Sequence, residues 1–360
     1  MKQTLRTRLG LHGAVKVIQA FLIAAVVTVV AHFWYDKQPG IVLNALIIAF
    51  EGLRLSYKHT ITRLWRLLVL CAVGSVLAFF AVLLLPTGSN QLWAYLLAAA
   101  VSLVVTGLVN EGRMNIFPLV MVTITYFAAA VHPDVPRLTM ALYTVPLFVS
   151  SALAAIPAVA VAMLTHLLPG EHIARRVKGD PDHRFRFRVR VMHPRTFFAN
   201  IDPHFLMLFL TQVIVAVIYH LIAGHVTIHY PWIVFISASI VAQKSLADTV
   251  DKSRVRILGT LMGTAIGLIG LLLFGQMPYG WLALPFFIAI DMLVSYLAFE
   301  THLGATIVAT FMMMAEPTPD LSFLYIGERI VQIVASIVVA VVVYAAVRTA
   351  IYAIRDRKHA

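Results

Sequence analysis

The sequence is poor in charged residues and almost lacks cysteine. Charged side chains make up 12% of its 360 residues and hydrophobic side chains 61%, whereas a soluble domain carries about 25% charged and about 45–50% apolar residues. This number of charged side chains is too small to cover the water-exposed surface of a protein of this size. The composition therefore excludes an ordinary soluble protein and indicates an integral membrane protein. The single cysteine, Cys71, excludes an intramolecular disulfide and a cysteine-based metal cluster.

The sequence also lacks the short motifs of common enzyme classes. It contains no Gly-x-x-x-x-Gly-Lys-[Ser/Thr] loop, no Gly-x-Ser-x-Gly and no His-Glu-x-x-His. We therefore predict that the protein is not an enzyme, needs no cofactor and does not use ATP. His225 and His229 lie four residues apart without an adjacent carboxylate or cysteine, so no metal site is predicted.

Long apolar runs are abundant instead. A helix needs about 20 apolar residues to cross about 30 Å of hydrocarbon, and twelve apolar runs are found, six on each side of a polar linker. The second run of each set is short. We predict an all-α polytopic membrane protein with about twelve transmembrane segments. The runs are 14–34, 40–52, 66–86, 91–109, 115–132, 139–168, 204–224, 231–243, 256–275, 280–299, 303–315 and 322–351.

Basic residues are distributed asymmetrically, which sets the predicted orientation. With a cytoplasmic N-terminus, all but three of the 28 Lys and Arg residues fall in cytoplasmic segments, and the exceptions are Lys37, Arg137 and Arg329. Orientation in the membrane then explains the net charge of +12, which does not indicate a nucleic-acid partner. We predict a multi-pass protein of the bacterial inner membrane with both termini in the cytoplasm.

The two sets of runs share an internal order. Gln19 and Gln212 each precede a histidine by thirteen residues, and a proline then opens a short apolar segment. We predict two parallel six-helix repeats related by an axis along the membrane normal, an arrangement typical of transporters. The predicted domains are the repeats 1–168 and 204–351, the basic cytoplasmic linker 169–203 and the cytoplasmic tail 352–360.

Within the linker, residues 183–191 alternate basic and apolar side chains, a period typical of strands. Two interpretations stay open for this segment. It lies on anionic lipid headgroups, where each basic residue contributes about 1 kcal/mol, or it folds back as a short hairpin.

The second repeat carries a recognisable signature. An aromatic start is followed by a Gln-x-Ser-like turn, arginines and spaced glycines, and the last run begins with Glu328-Arg329-Ile330. This pattern resembles the fusaric acid resistance and aromatic acid exporter family over most of 204–351, and more weakly over 14–168. The signature residues are Tyr230-Pro231-Trp232, Gln243-Lys244-Ser245, Arg254, Arg256, Gly259-Thr260, Gly263-Thr264, Gly267 and Gly270.

The resemblance implies export of small aromatic or amphipathic organic acids across the inner membrane, driven by the proton gradient. It also implies a periplasmic adaptor protein as a partner, and a homo-oligomer is a further expectation beside contacts with membrane lipid. Plant malate channels are distant relatives, so a passive organic-anion channel is the alternative. A third hypothesis is a membrane scaffold that transports nothing.

Two acidic residues are the candidates for proton coupling. Asp291 lies near the middle of an apolar run, where a carboxylate costs about 2.5–3.5 kcal/mol on insertion scales. Burial disfavours its charged form, so a proton-exchanging group and a neutral, hydrogen-bonded structural group are both consistent with it. Glu300 lies at the cytoplasmic end of the same run and is either a second coupling group or an interfacial charge.

Further polar residues are candidates for the substrate pathway. Each also has a structural alternative: helix-to-helix hydrogen bonding, positive-inside anchoring, a local ion pair or plain core packing. Separately, Gly259, Gly263 and Gly267 recur at every fourth position and predict a close helix-packing face. The pathway candidates are Gln19, Gln212, Tyr296, Thr310, Arg254, Arg256, Glu328 and Arg329.

Overall fold

The protein is helical throughout its described part. None of the described residues lies in a β-strand, which confirms the all-α part of the predicted fold, and five long apolar helices fit a polytopic membrane protein. The computed structural model describes residues 18, 21–26, 57–87, 91–113, 115–166, 191–199, 201–223, 231–243, 245–274, 280–298 and 322–357.

Residues 18 and 21–26 are helical, and the segments from residue 57 onwards contain eleven α-helices and one short 3-10 helix. The 3-10 helix Gly280–Ala283 leads directly into α10. The α-helices are α1 Tyr57–Leu84, α2 Leu92–Val109, α3 Phe117–Val131, α4 Arg137–Leu142, α5 Thr144–His166, α6 Pro194–Ala199, α7 Pro203–Ala223, α8 Pro231–Val241, α9 Leu246–Phe274, α10 Leu284–Ala298 and α11 Ser322–Arg357.

Five helical segments in the described residues are long and apolar enough to cross a membrane. They agree with five of the predicted runs, while the runs 40–52 and 303–315 and most of 14–34 lie outside the described residues. The count of twelve spans and the repeat boundaries therefore stay predictions. The five segments are Ile61–Leu84, Leu92–Val109, Arg137–Leu164, His204–Ile222 and Leu246–Phe274.

Local side-chain chemistry explains where several helices begin. The Asp202 carboxylate accepts a hydrogen bond from the backbone N–H of His204 at 3.0 Å, and Pro203 is the first residue of α7, as expected at a capped N-terminus. Before α3, Asn115 accepts from the N–H of Phe117 at 2.9 Å, although the N-cap residue there is Ile116. In both places the polar side chain satisfies a backbone N–H in the first turn of the helix.

The predicted run 139–168 is split at Tyr143 into α4 and α5. Pro146 lies in the first turn of α5 and has no N–H to donate to the carbonyl of Leu142, so the i→i−4 ladder is interrupted there. The Thr144 hydroxyl instead donates to the carbonyl of Ala141 at 2.8 Å. Apolarity predicted one span, and the proline explains why it contains a break.

Helix α8 is short. Its 11 residues correspond to a length of about 16 Å, roughly half of the hydrocarbon thickness. The following helix, α9, has 29 residues and begins ten residues before the predicted run 256–275. Hydropathy misses this start because the first turns of α9 are polar.

The chain divides into two compact units, and each takes segments from both predicted repeats. The first unit contains α10, most of α5 and the larger part of α9. The second contains α2, α3, α4, α6, α7 and α8 with about half of α1 and most of α11. Unit one is Met1–Val69, Pro146–Arg188 and Leu258–Gly327, and unit two is Leu70–Val145, Val189–Ile257 and Glu328–Ala360.

In unit two, four helices form a closed cycle of contacts. Helix α2 packs against α3, α3 against α8, α8 against α7, and α7 against α2. Their facing residues form a hydrophobic core to which Ile333, Ile337 and Ala340 of α11 also contribute. In unit one, the rings of Phe274 and Phe287 contact each other with centroids 6.0 Å apart.

Candidate functional site

A polar side chain from each of the four helices meets in the core of unit two. Tyr95 of α2, Thr123 of α3, Gln212 of α7 and Ser239 of α8 are all buried. The Tyr95 hydroxyl donates to Gln212 Oε1 at 2.7 Å and lies 3.1 Å from Thr123 Oγ1. Gln212 Nε2 donates to Ser239 Oγ at 2.7 Å and to the carbonyl oxygen of Phe235 at 3.3 Å. These bonds connect helices that are far apart in the chain.

Two hydroxyl protons serve three oxygen contacts here. The Tyr95 hydroxyl donates to Gln212 Oε1 at 2.7 Å, and the Thr123 hydroxyl donates to the carbonyl of Leu119 at 2.7 Å. The 3.1 Å contact between the Tyr95 and Thr123 hydroxyls is the longest of the three. Ser239 donates to the carbonyl of Phe235 at 2.8 Å. Every group in the chain is neutral.

An aromatic box, formed by Tyr126, Phe127 and Phe235, surrounds the ring of Tyr95. The centroid of the Tyr95 ring lies 5.6 Å from Tyr126, 5.0 Å from Phe127 and 4.9 Å from Phe235. Tilted and edge-to-face arrangements at these distances are favourable for aromatic rings. Tyr219 closes one side, 6.1 Å from Phe127 and 5.7 Å from Phe235. The aromatic box therefore holds the ring of the Tyr95 phenol, while Gln212 holds its hydroxyl.

Four buried residues, Tyr95 among them, lie on one face of α2. Tyr95, Ala99, Ser102 and Thr106 follow one another at intervals of three or four residues, and all are buried. The Thr106 hydroxyl donates to the carbonyl of Ser102 at 2.6 Å. The Ser102 hydroxyl is itself buried and makes no hydrogen bond within the described residues.

Asp291 lies in unit one, on the buried face of α10. Its exposed fraction is 0%, and Leu284, Phe287 and Ile288, which share this face at helical spacing, are buried too. A carboxyl group thus continues an otherwise apolar face. Asp291 lies in the middle of the helix Leu284–Ala298, while its depth in the membrane and its role in coupling stay predictions.

The Gln-x-Ser-like turn joins α8 to α9 and is held by local hydrogen bonds of the Ser245, Asp248 and Thr249 side chains. The Ser245 hydroxyl accepts from the N–H of Asp248 at 3.0 Å and donates to the Asp248 carboxylate at 2.5 Å, an arrangement that caps a helix N-terminus. The N–H of Gln243 donates to Thr249 Oγ1 at 3.1 Å. The signature turn therefore fixes the start of α9.

Helix α9 carries the predicted arginines and glycines. Arg254 is exposed and Arg256 is half-buried. Gly259, Gly263 and Gly267 are all buried, as expected for one face of a helix packed against a neighbour.

The end of the linker docks onto the last turns of α2. The N–H of Met192 donates to the carbonyl of Leu108 at 2.8 Å, and the buried ring of Phe197 from α6 covers Gly107. The N–H of Gly112 returns to the carbonyl of Gly107 at 2.7 Å, which ends α2 in the manner of a Schellman motif. The linker is thus attached to unit two by residues 191–199, while its alternating segment lies outside the described residues except for residue 191.

The remaining predicted residues are not all described. Gln19, Glu300 and Thr310 lie outside the described residues. Tyr296 lies in α10, and Glu328 and Arg329 lie in α11, with side chains outside the described part. In the portion of the chain that is described, His, Cys, Asp and Glu form no group of three or more that would hold a metal ion.

Sequence reasoning found Gln212 but missed its partners Tyr95, Thr123 and Ser239. The repeat drew attention to Gln212, whereas its partner Tyr95 is 117 residues away in sequence. The available signal was the helical spacing in α2, which places Tyr95 on the same face as Ser102 and Thr106. For Ser239 the signal was a hydroxyl within an apolar run.

The comparisons with known proteins give one match. Residues 213–343 match the family described as fusaric acid resistance protein-like. This match supports the resemblance that the sequence indicated, over most of the predicted second repeat, and it includes Ser239, the glycines of α9 and Asp291. No curated protein and no solved structure matches the chain.

Proposed function

We propose that the protein exports small aromatic or amphipathic organic acids across the bacterial inner membrane and couples export to proton movement. The family match supports a membrane transport protein of the fusaric acid resistance type. The observation that carries the proposal further is the complete burial of Asp291 on an apolar helix face. An acidic residue at membrane depth is expensive and is therefore usually retained for function.

The physical basis of coupling is the difference in cost between the two forms of the Asp291 carboxyl group. The charged form costs about 2.5–3.5 kcal/mol at the centre of a membrane helix on insertion scales, and protonation removes most of that penalty. A carboxyl that gains a proton when exposed to one side and loses it on the other carries one proton per cycle. This exchange would drive export of the organic acid.

Basic residues at the start of α9 would attract the substrate. Arg254 is exposed and Arg256 is half-buried, one turn before the buried glycine face begins at Gly259. In the proposed orientation these arginines lie at the cytoplasmic surface, where they raise the local concentration of an organic anion. The attraction is screened by salt.

The proposal is tested by efflux from cells. Exporter-deficient bacteria are loaded with p-hydroxybenzoate, and efflux is compared between wild type and Asp291→Asn at equal expression, with and without an uncoupler. Asp251→Asn is the matched control, because Asp251 is an exposed carboxylate in the first turns of α9. We expect uncoupler-sensitive efflux that Asp291→Asn abolishes and Asp251→Asn leaves unchanged.

The outcomes separate the hypotheses. Efflux that survives both the uncoupler and Asp291→Asn would contradict the proton-coupled carrier and support a passive organic-anion channel. Absence of efflux for a series of aromatic acids, with the protein correctly inserted, would contradict transport of this substrate class. Asp291→Glu keeps the titrating group, so partial activity of that variant would separate loss of the proton site from loss of the fold.

A further inference from the structure

The Tyr95 side chain has the same chemistry as one class of the proposed substrates. It is a phenol whose ring lies against Tyr126, Phe127 and Phe235 and whose hydroxyl bonds to Gln212. An aromatic acid with a ring hydroxyl presents the same two features, a flat apolar face and a phenolic O–H. The residues around Tyr95 would therefore bind the hydroxyphenyl part of such a molecule by the contacts they now make to Tyr95.

The polar groups that face the phenol are suited to a neutral hydroxyl. Gln212 Oε1 accepts the phenolic proton, and Thr123 Oγ1 lies 3.1 Å from the phenolic oxygen. The phenol is thus a hydrogen-bond donor here, and the Thr123 hydroxyl, which donates to the carbonyl of Leu119, is its polar neighbour. Ser239 and the carbonyl of Phe235 hold the Gln212 amide in one orientation, so its acceptor oxygen faces the phenol. A site built to bond a hydroxyl discriminates strongly against a molecule without one.

The helices that form this site include the short helix α8. Phe235 and Ser239 both lie on α8, which has 11 residues and a length of about 16 Å. Membrane transporters commonly build substrate sites from helices that do not cross the full bilayer.

We propose that Tyr95 occupies the substrate site with its own phenol, and that a hydroxylated aromatic acid binds by displacing the Tyr95 ring from between Thr123 and Gln212. The inference rests on the proposed function, because it assigns a site to the proposed substrate class. In this arrangement Tyr95 is an internal competitor. It fills the site until a molecule with the same contacts replaces it.

The test is a binding measurement on the full-length protein purified in detergent. p-Hydroxybenzoate and benzoate differ by one phenolic hydroxyl, and their dissociation constants are measured by equilibrium dialysis. We expect wild type to bind p-hydroxybenzoate more tightly than benzoate. Tyr95→Phe removes the hydrogen bond with which the internal competitor holds Gln212, so both probes should bind about fivefold more tightly, the value of one net hydrogen bond.

Two further variants complete the test. Gln212→Leu removes the acceptor of the phenolic proton. The dissociation constants of benzoate and p-hydroxybenzoate should then be nearly equal. If that variant does not fold, Thr123→Val removes the other hydroxyl contact at nearly constant shape. The ratio of the benzoate to the p-hydroxybenzoate dissociation constant should then fall about fivefold. Tyr143→Phe is the matched control, because this half-buried tyrosine lies outside the aromatic box, and it should change neither constant.

Opposite results would overturn the inference. Tyr95→Phe binding p-hydroxybenzoate no more tightly than wild type would show that Tyr95 does not compete with the ligand. A preference that survives loss of both Gln212 and Thr123, or no saturable binding to folded wild type, would do the same. Binding is measured without transport, so a protein with the expected binding pattern but no efflux would contradict the proposed function alone.

Discussion

Gly107 is the position at which one added methyl group tests how the linker docks on α2. A Cβ atom placed on Gly107 would lie 2.3 Å from Cε2 of Phe197 and 2.8 Å from Cζ of Phe205. Carbon atoms pack at about 3.5–4.0 Å, so the rings would have to retreat by more than about 1 Å. Phe197 is 1% exposed and Phe205 3%, and their centroids are 5.3 Å apart, so each blocks the retreat of the other.

The expected size of the effect follows from two opposing terms. Overpacking of a filled core costs about 1–3 kcal/mol, while glycine to alanine within a helix gains about 0.8–1.0 kcal/mol. Gly107→Ala should therefore lower the free energy of unfolding by about 1 kcal/mol. Gly327→Ala is the matched control, because a Cβ there meets nothing within 4 Å, and it should raise stability by up to about 1 kcal/mol.

Denaturant unfolding of the purified variants in detergent measures this difference. Phe197→Leu removes the ring atoms that the new methyl group would meet, so Gly107→Ala combined with Phe197→Leu should cost less than the sum of the single changes. The reasoning would be refuted if Gly107→Ala were as stable as Gly327→Ala. That result would mean that the linker helix α6 moves away from α2 without cost.

Three further predictions concern the same unit and the same unfolding assay. Tyr95→Phe leaves Gln212 Oε1 without its donor and should cost about 1–2 kcal/mol, whereas equal stability of this variant and wild type would contradict the hydrogen-bond chain. Ser102→Ala removes a buried hydroxyl that makes no hydrogen bond in the described part of the chain and should be neutral or stabilising by up to about 1 kcal/mol; a clear loss would indicate a partner for that hydroxyl. Glu111→Gly should stabilise by about 1 kcal/mol, because Glu111 has φ +55°, a conformation that favours glycine; a loss of stability would show that its side chain contributes more than its backbone strain costs.

The apolar spans were predictable because one simple property determines them. The predicted run 91–109 corresponds to α2 at Leu92–Val109, and the run 204–224 corresponds to α7 at Pro203–Ala223. Hydropathy finds such segments because a lipid environment requires a continuous apolar surface. It does not find the polar first turns of α9, whose start depends on the capping bonds of Ser245.

The candidate site was less predictable, because its members come from different parts of the chain. Asp291 and Gln212 were identified because each is a polar residue within an apolar run. Tyr95 and Thr123 are amphipathic residues that are common in apolar helices, and only the packing of α2, α3 and α7 brings them together. A single sequence contains no direct signal for pairing of helices.

Proton movement in proteoliposomes is the most direct test of the central claim that export is coupled through Asp291. Vesicles containing purified protein and an internal pH indicator receive an outward gradient of p-hydroxybenzoate, and the internal pH is followed. The account predicts a substrate-dependent pH change in wild type that is absent in Asp291→Asn and unchanged in Asp251→Asn. Substrate movement without a pH change in wild type, or an equal pH change in Asp291→Asn, would contradict the account.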